Sequence, residues 1–171
     1  MGAPKHDQPH PHGGSWSGHL VRVFQEVFPE GSIRILGHPV PERPELERFD
    51  DPRMGPARAL SLWAASALPP VDRWWVVACD QVRWEAQDLG AWHRKALDAD
   101  PEARAWVLAE HGGRLQYLGG FLGAALLPIV AASGAPSLRE LAASLPTQVI
   151  PSEGREWLDV DSPEDRAVWR G

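Results

Sequence analysis

Trp74-Trp75-Val76-Val77-Ala78-Cys79-Asp80 constrains this chain more than any other stretch. It is apolar at six consecutive positions and then ends at a carboxylate. Pro69-Pro70 closes whatever precedes it, and the length suits a strand better than a helix. A strand without polar alternation must be covered on both faces, so the run predicts a buried, central strand of an α/β domain. Adjacent strand residues face opposite sides of a sheet, so Trp74 and Trp75 are expected to pack into the core rather than to stack on a base together.

The flanking segments support alternation of helices and strands. Leu20, Val23, Phe24, Val27 and Phe28 follow the i, i+3, i+4, i+7, i+8 spacing of a one-faced helix that Pro29 and Gly31 stop. Ser32 to Leu36 reads as a strand. Pro39 to Pro56, with five prolines, reads as a long surface loop. Pro56 is well placed to start a helix over Ala57 to Leu68, and a second helix is expected over Glu85 to Leu97. Arg104 to Ala109 and Arg114 to Leu118 flank His111-Gly112-Gly113, a hairpin pattern. Phe121 to Ala132 reads as an apolar helix kinked at Pro128. Ser137 with Glu140 forms a capping box for a helix through Leu145. Thr147 to Ile150 and Trp157 to Val160 read as strands, and Ser162-Pro163-Glu164-Asp165 opens a last helix. The alternation predicts a mainly parallel sheet with helices on both faces. In such a sheet ligands gather beyond the carboxyl ends of strands, where Asp80 stands.

With 171 residues, 43% of them hydrophobic, the chain is expected to form one domain, with residues 1–18 as a loop. A net charge of −6 without basic blocks argues against nucleic acid as a partner. No apolar run approaches the roughly 20 residues that span a bilayer, and Met1 to Gly14 lacks the apolar core of a secretory signal. With the single cysteine Cys79 inside an apolar run, the expected setting is a reducing cytoplasm without membrane association. His6, His10 and His12 admit a metal-binding reading, but without fixed spacing a solvated polar segment is the simpler one.

The motifs in sequence order resemble those of the molybdenum cofactor guanylyltransferases, within the nucleotidyltransferase superfamily. Met1-Gly2-Ala3-Pro4-Lys5 is similar to the end of that family's glycine-rich phosphate loop. Gly37-His38-Pro39-Val40-Pro41 resembles its turn after the second strand, and Asp51 with Gly55-Pro56-Ala57 its acidic loop and Gly-Pro-Leu-Ala-Gly segment. Val76 to Asp80 resembles its metal-binding strand, Pro136-Ser137-Leu138-Arg139 its Ser-Leu-Arg helix start, and Asp159-Val160-Asp161-Ser162-Pro163-Glu164-Asp165 its late Asn-x-Asn-Thr-Pro-Glu-Asp segment.

The resemblance implies a three-layer α/β/α, Rossmann-like nucleotide-diphospho-sugar transferase fold with a mostly parallel sheet. The first strand and the glycine pair of the phosphate loop would be truncated or would lie upstream of Met1. It implies transfer of GMP from GTP to molybdopterin with release of diphosphate, with Mg²⁺ as cofactor and a molybdoenzyme or chaperone as protein partner. It implies that Gly2 and Lys5 contact the triphosphate, Lys5 serving in catalysis. Asp50, Asp51 and Gly55 would lie on the nucleotide, Asp80 would be the catalytic metal ligand, and Asp159 and Asp161 would face the acceptor. The acceptor phosphate is already an anion, so the reaction needs positioning and charge stabilisation rather than a general base. Two alternatives stay open. One is a cytidylyltransferase acting on molybdopterin with CTP, since Asp159 and Asp161 replace asparagines. The other is a non-catalytic, degenerate relative that has lost triphosphate binding.

Overall fold

The structure, a computed structural model, describes residues 7–51, 53–66, 68–158 and 160. Helix α1 (Trp16–Val27) starts at Ser15, whose hydroxyl accepts the Gly18 N–H. The expected strand at 32–36 shrinks to β1 (Ile35–Leu36), which pairs in parallel with β2 (Arg48–Phe49) inside the proline-rich stretch. Helix α2 (Pro56–Ala64) begins on its proline, and α3 (Ala86–Ala99) occupies the second predicted helix. Strand β3 (Arg73–Val76) covers only the first half of the apolar run, which was expected to stay extended through Cys79. The hairpin forms as β4 (Trp106–His111) and β5 (Arg114–Gly123), turning at Gly112 and Gly113, both with positive φ. Helix α4 (Leu127–Ala132), α5 (Leu138–Ala143) and β6 (Thr147–Pro151) complete the regular elements.

The sheet overturns the expectation of a mostly parallel, Rossmann-like architecture. Its four strands run in the order β3-β5-β4-β6. The β3/β5 and β4/β5 pairs are antiparallel, and only β4/β6 is parallel. The separate β1/β2 pair is parallel but two residues long. The physical cause is the hairpin itself. A turn of two glycines cannot supply the crossover a parallel pair needs, and the strand it returns is long enough to join both β4 and β3. Phe121 to Gly123, expected to be helical, therefore belongs to β5, and Pro128 sits in the first turn of α4 rather than kinking a longer helix.

Strand β3 is also corrected from a central strand to an outer one among the described residues. Trp74 is buried, whereas Trp75 to Asp80 are only partly so. The expected strand at 157–160 is a 3₁₀ turn over Arg155–Trp157, and the predicted helix from Ser162 lies outside the described residues.

Strand alternation divides the core in two. Trp74, Trp106, Leu108 and Leu122 face α2, α4 and α5, packing on Leu60, Trp63, Val130 and Leu141. Trp75, Val107, Ala109 and Phe121 face α1 and α3, meeting Leu20, Val23, Leu89 and Trp92. Each fully buried aliphatic side chain contributes about 1.5–3 kcal/mol of transfer free energy. Among the described residues no helix is long and apolar enough to cross a membrane.

Candidate functional site

Asp80 lies four residues beyond the end of β3, at the start of a turn tied down from several directions. Gln81, buried, donates its backbone N–H to Ala78 O at 3.1 Å, while its side-chain oxygen accepts the Ala78 N–H at 3.3 Å. Its side-chain nitrogen donates to Leu118 O at 3.2 Å. Val82 and Trp84 are fully buried. The backbone N–H of Val160 donates to Asp80 O at 3.2 Å, and Val160 packs with Trp16 and Val82 in a small cluster of its own. Val160 is thereby anchored at the turn that carries Asp80.

Two histidines clamp the same turn. His10 Nε2 donates to Val82 O at 3.3 Å, and His19 Nε2 donates to Trp84 O at 2.8 Å. Their rings stack at 3.7 Å with planes 10° apart, and both are buried. Burial first, then the neighbouring His19, pushes the His10 pKa down to about 4; burial lowers that of His19 as well. His12 lies at the rim, 3.8 Å from Glu85. His10 is thus withdrawn from solvent within a segment that is otherwise largely exposed. The described histidines do not form a metal site, since each clamping Nε2 is already used on a carbonyl, and among the described residues no three His, Cys, Asp or Glu side chains converge as metal ligands.

The other predicted residues are dispersed. Gly37 and Asp51 are neighbours, because Gly37 N–H bonds Phe49 O at 2.8 Å across the β1/β2 pair and a side chain at Gly37 would meet the Asp51 Cβ. Asp51 accepts the Arg53 N–H at 2.8 Å, and Asp50, with 89% of its side chain exposed, pairs with Arg48 at 3.0 Å. Both are held by residues of their own loop. Gly55, at φ +88°, is the residue from which α2 starts. Gly2, Lys5, Asp159 and Asp161 lie outside the described residues.

Sequence reasoning missed Glu42. Its carboxylate accepts the Ser15 N–H at 2.6 Å and the Ser15 hydroxyl at 2.7 Å, fastening the proline-rich loop to the start of α1. Partial burial opposes ionisation there, but these bonds and Arg22 prevail and hold the carboxyl below its usual pKa. His19 was readable in principle, because it continues the apolar stripe of Trp16, Leu20 and Val23. No comparable signal marked Glu42 or the clamping role of His10, whose partners lie 27 and 72 residues away.

No protein-family model matches the chain, and no curated protein does. Solved structures do. A crystal structure of Rv0371c from Mycobacterium tuberculosis H37Rv is similar at TM-score 0.69 and 14% identity, over 99% of this chain and 90% of that one. A second, of Rv0371c in complex with manganese from the same organism, is similar at TM-score 0.69 and 14% identity, over 98% and 92%. At that identity the likeness is one of fold.

Proposed function

We propose that the chain is a nucleotidyltransferase that moves GMP from GTP to the terminal phosphate of molybdopterin, with a divalent cation, Mg²⁺, held at Asp80. The observation that carries this reading is the bond from the Val160 N–H to Asp80 O. It ties the turn bearing one predicted metal ligand to the residue lying between the two predicted acceptor-side carboxylates, Asp159 and Asp161. The neighbouring Gly37 and Asp51 give similar support on the nucleotide side. A neighbour of this fold was crystallised with manganese, which favours a divalent cation.

The donors in question are carboxylate oxygens, the class that hard divalent cations take. Asp80 would hold the ion with Asp159, Asp161 and phosphate oxygens completing its shell. When bound, such a cation offsets charge on the triphosphate and on the departing diphosphate. An acceptor phosphate oxygen attacks the α-phosphorus of GTP, and the bond from that phosphorus to the oxygen bridging to the β-phosphate breaks. Diphosphate leaves with the electron pair. Lys5 and Gly2 would steady the triphosphate; Asp50, Asp51 and Gly55 would border the base, where an aspartate can accept two N–H groups from one edge of guanine.

Calorimetric titration with GTP and with CTP, each with and without Mg²⁺, tests this on the chain and on Asp80→Asn. The expected result is Mg²⁺-dependent GTP binding that Asp80→Asn weakens by about tenfold or more, corresponding to a lost charge-assisted contact of roughly 1.5–3 kcal/mol. Tighter CTP binding would instead favour cytidylyl transfer. Equal GTP affinity in all four combinations of protein and cation would refute the metal role. Failure to bind either nucleotide would favour the non-catalytic relative.

A further inference from the structure

We propose that the stacked imidazoles of His10 and His19 form an acid-released latch, holding residues 7–15 against the turn that follows Asp80. The bonding pattern fixes the protonation state. A carbonyl oxygen can only accept, so the bonds to Val82 O and Trp84 O require a hydrogen on Nε2 of both rings. His10 Nδ1 accepts the backbone N–H of His12 at 3.1 Å and so carries none. The His10 ring is therefore neutral as bound. A second proton would have to enter at Nδ1, where it would point at the His12 N–H and break that bond.

The surroundings oppose the charge too. His10 faces His19, His12 and Arg22; His19 faces Arg22, His12 and Glu85. Glu85 is the anion of that group, and with about half of its side chain exposed its attraction is shared with water. Two parallel rings 3.7 Å apart cannot both be charged without strong repulsion. Bonds within and beside the segment include His10 N–H to Gly14 O, Gly13 N–H to His10 O, Trp16 N–H to Gln8 O and the Arg22 guanidinium to Gly13 O. The segment's long-range attachments among the described residues include the His10 ring bond and the Glu42 contact to Ser15 at its end, while His19, on α1, holds the helix to Trp84 O and offers its ring face to His10.

The direction follows from linkage. In the docked segment burial pushes the His10 pKa down to about 4 from an ordinary 6.5, whereas a released segment regains the ordinary value. Release therefore takes up protons. The docked state is fully favoured above about pH 6.5 and loses ground as pH falls, until the effect saturates near the docked value. Over that window a histidine so shifted changes the docking equilibrium on the order of a hundredfold, and His19, lowered in the same direction, adds to it. Because Val82 directly follows Asp80-Gln81, release of the segment also frees one anchor of the chain next to Asp80. None of this depends on which ligand Asp80 serves.

Hydrogen exchange read by mass spectrometry at pH 7 and pH 4.5, corrected for intrinsic rates, tests the latch. Amides of residues 8–16 should lose protection on the order of a hundredfold in acid, while those of β4 and β5 keep theirs. The H10Q/H19Q double variant retains an amide donor at each Nε2 position but has no titrating ring, and should hold its protection at pH 4.5 within a few-fold. If that variant does not fold at pH 7, NMR of the wild-type rings decides. Both should be the neutral Nε2–H form at pH 7 and should titrate below the ordinary 6.5, in step with the segment's amides. Retained protection of the wild-type segment at pH 4.5, equal loss in the double variant, simultaneous loss through β4 and β5, or ring titration near 6.5 would each overturn the proposal.

Discussion

Gly119 shows how much one residue can decide. It sits where β5 shifts register against β4, between the pairs Val107↔Phe121 and Ala109↔Gln116, with φ at +87°. Its carbonyl accepts the indole N–H of both Trp75, at 2.9 Å, and Trp92, at 3.0 Å. A Cβ there would lie 2.7 Å from the Trp157 ring and 3.3 Å from that of Trp84, both buried and packed edge to face. Gly119→Ala thus meets left-handed backbone strain and a steric clash at once. Gly113, at φ +74°, has nothing within 4 Å of its would-be Cβ and meets the strain alone. We expect Gly119→Ala to destabilise by about 3 kcal/mol and Gly113→Ala by about 1, measured by urea unfolding. Equal losses would mean that the tryptophan cluster yields to the methyl group. The site had the same uneven visibility at this scale. The sequence singled out Asp80 because an apolar run ending in an acid is a local signal, although the strand itself stops four residues short of it. The fastening roles of Glu42 and His10 gave no such signal, because what defines them is a contact across 27 and 72 residues.

Among the elements, those set by local chemistry were readable and those set by pairing were not. Ser15, Pro56 and Ser137 open α1, α2 and α5 in the structure, within about three residues of the starts the sequence suggested. The hairpin formed on its glycines. Strand direction and reach, by contrast, depend on partners. The apolar residues from Phe121 suit a helix as well as a buried strand, and pairing with both β3 and β4 decides for the strand. The local rule gives its own prediction for α5. This six-residue helix has Ser137 accepting the Glu140 N–H at 3.2 Å while its hydroxyl donates to the Glu140 carboxylate at 3.1 Å. A helix so short has few internal bonds to sustain it, so the cap matters. Ser137→Ala should cost about 1 kcal/mol, and Ser137→Asp, which restores an acceptor, should recover most of it in thermal unfolding. A neutral Ser137→Ala would show that Leu138 and Leu141, buried against α2, hold α5 without its cap.

For the whole molecule, the question is whether two hydrophobic clusters on opposite faces of one sheet unfold together. They share no helix: α2, α4 and α5 serve one, α1 and α3 the other. They do share β4 and β5, because neighbouring positions on a strand face opposite ways. Val107 belongs to the cluster against α1 and α3, and Leu108, next along the chain, to the cluster against α2, α4 and α5. Neither face can lose its strand surface without the backbone that carries the other. Leu108→Ala should cost about 2–5 kcal/mol and Val107→Ala about 1–3, each through a cavity in a different cluster. Both should lower the midpoint of one transition, with tryptophan fluorescence and far-ultraviolet circular dichroism coinciding in each variant. The tryptophans make this a sharp measurement, since Trp63 and Trp106 report one face and Trp84, Trp92 and Trp157 the other. Should Leu108→Ala instead split the fluorescence and dichroism curves, the sheet would be a boundary between two folding units rather than the shared spine of one.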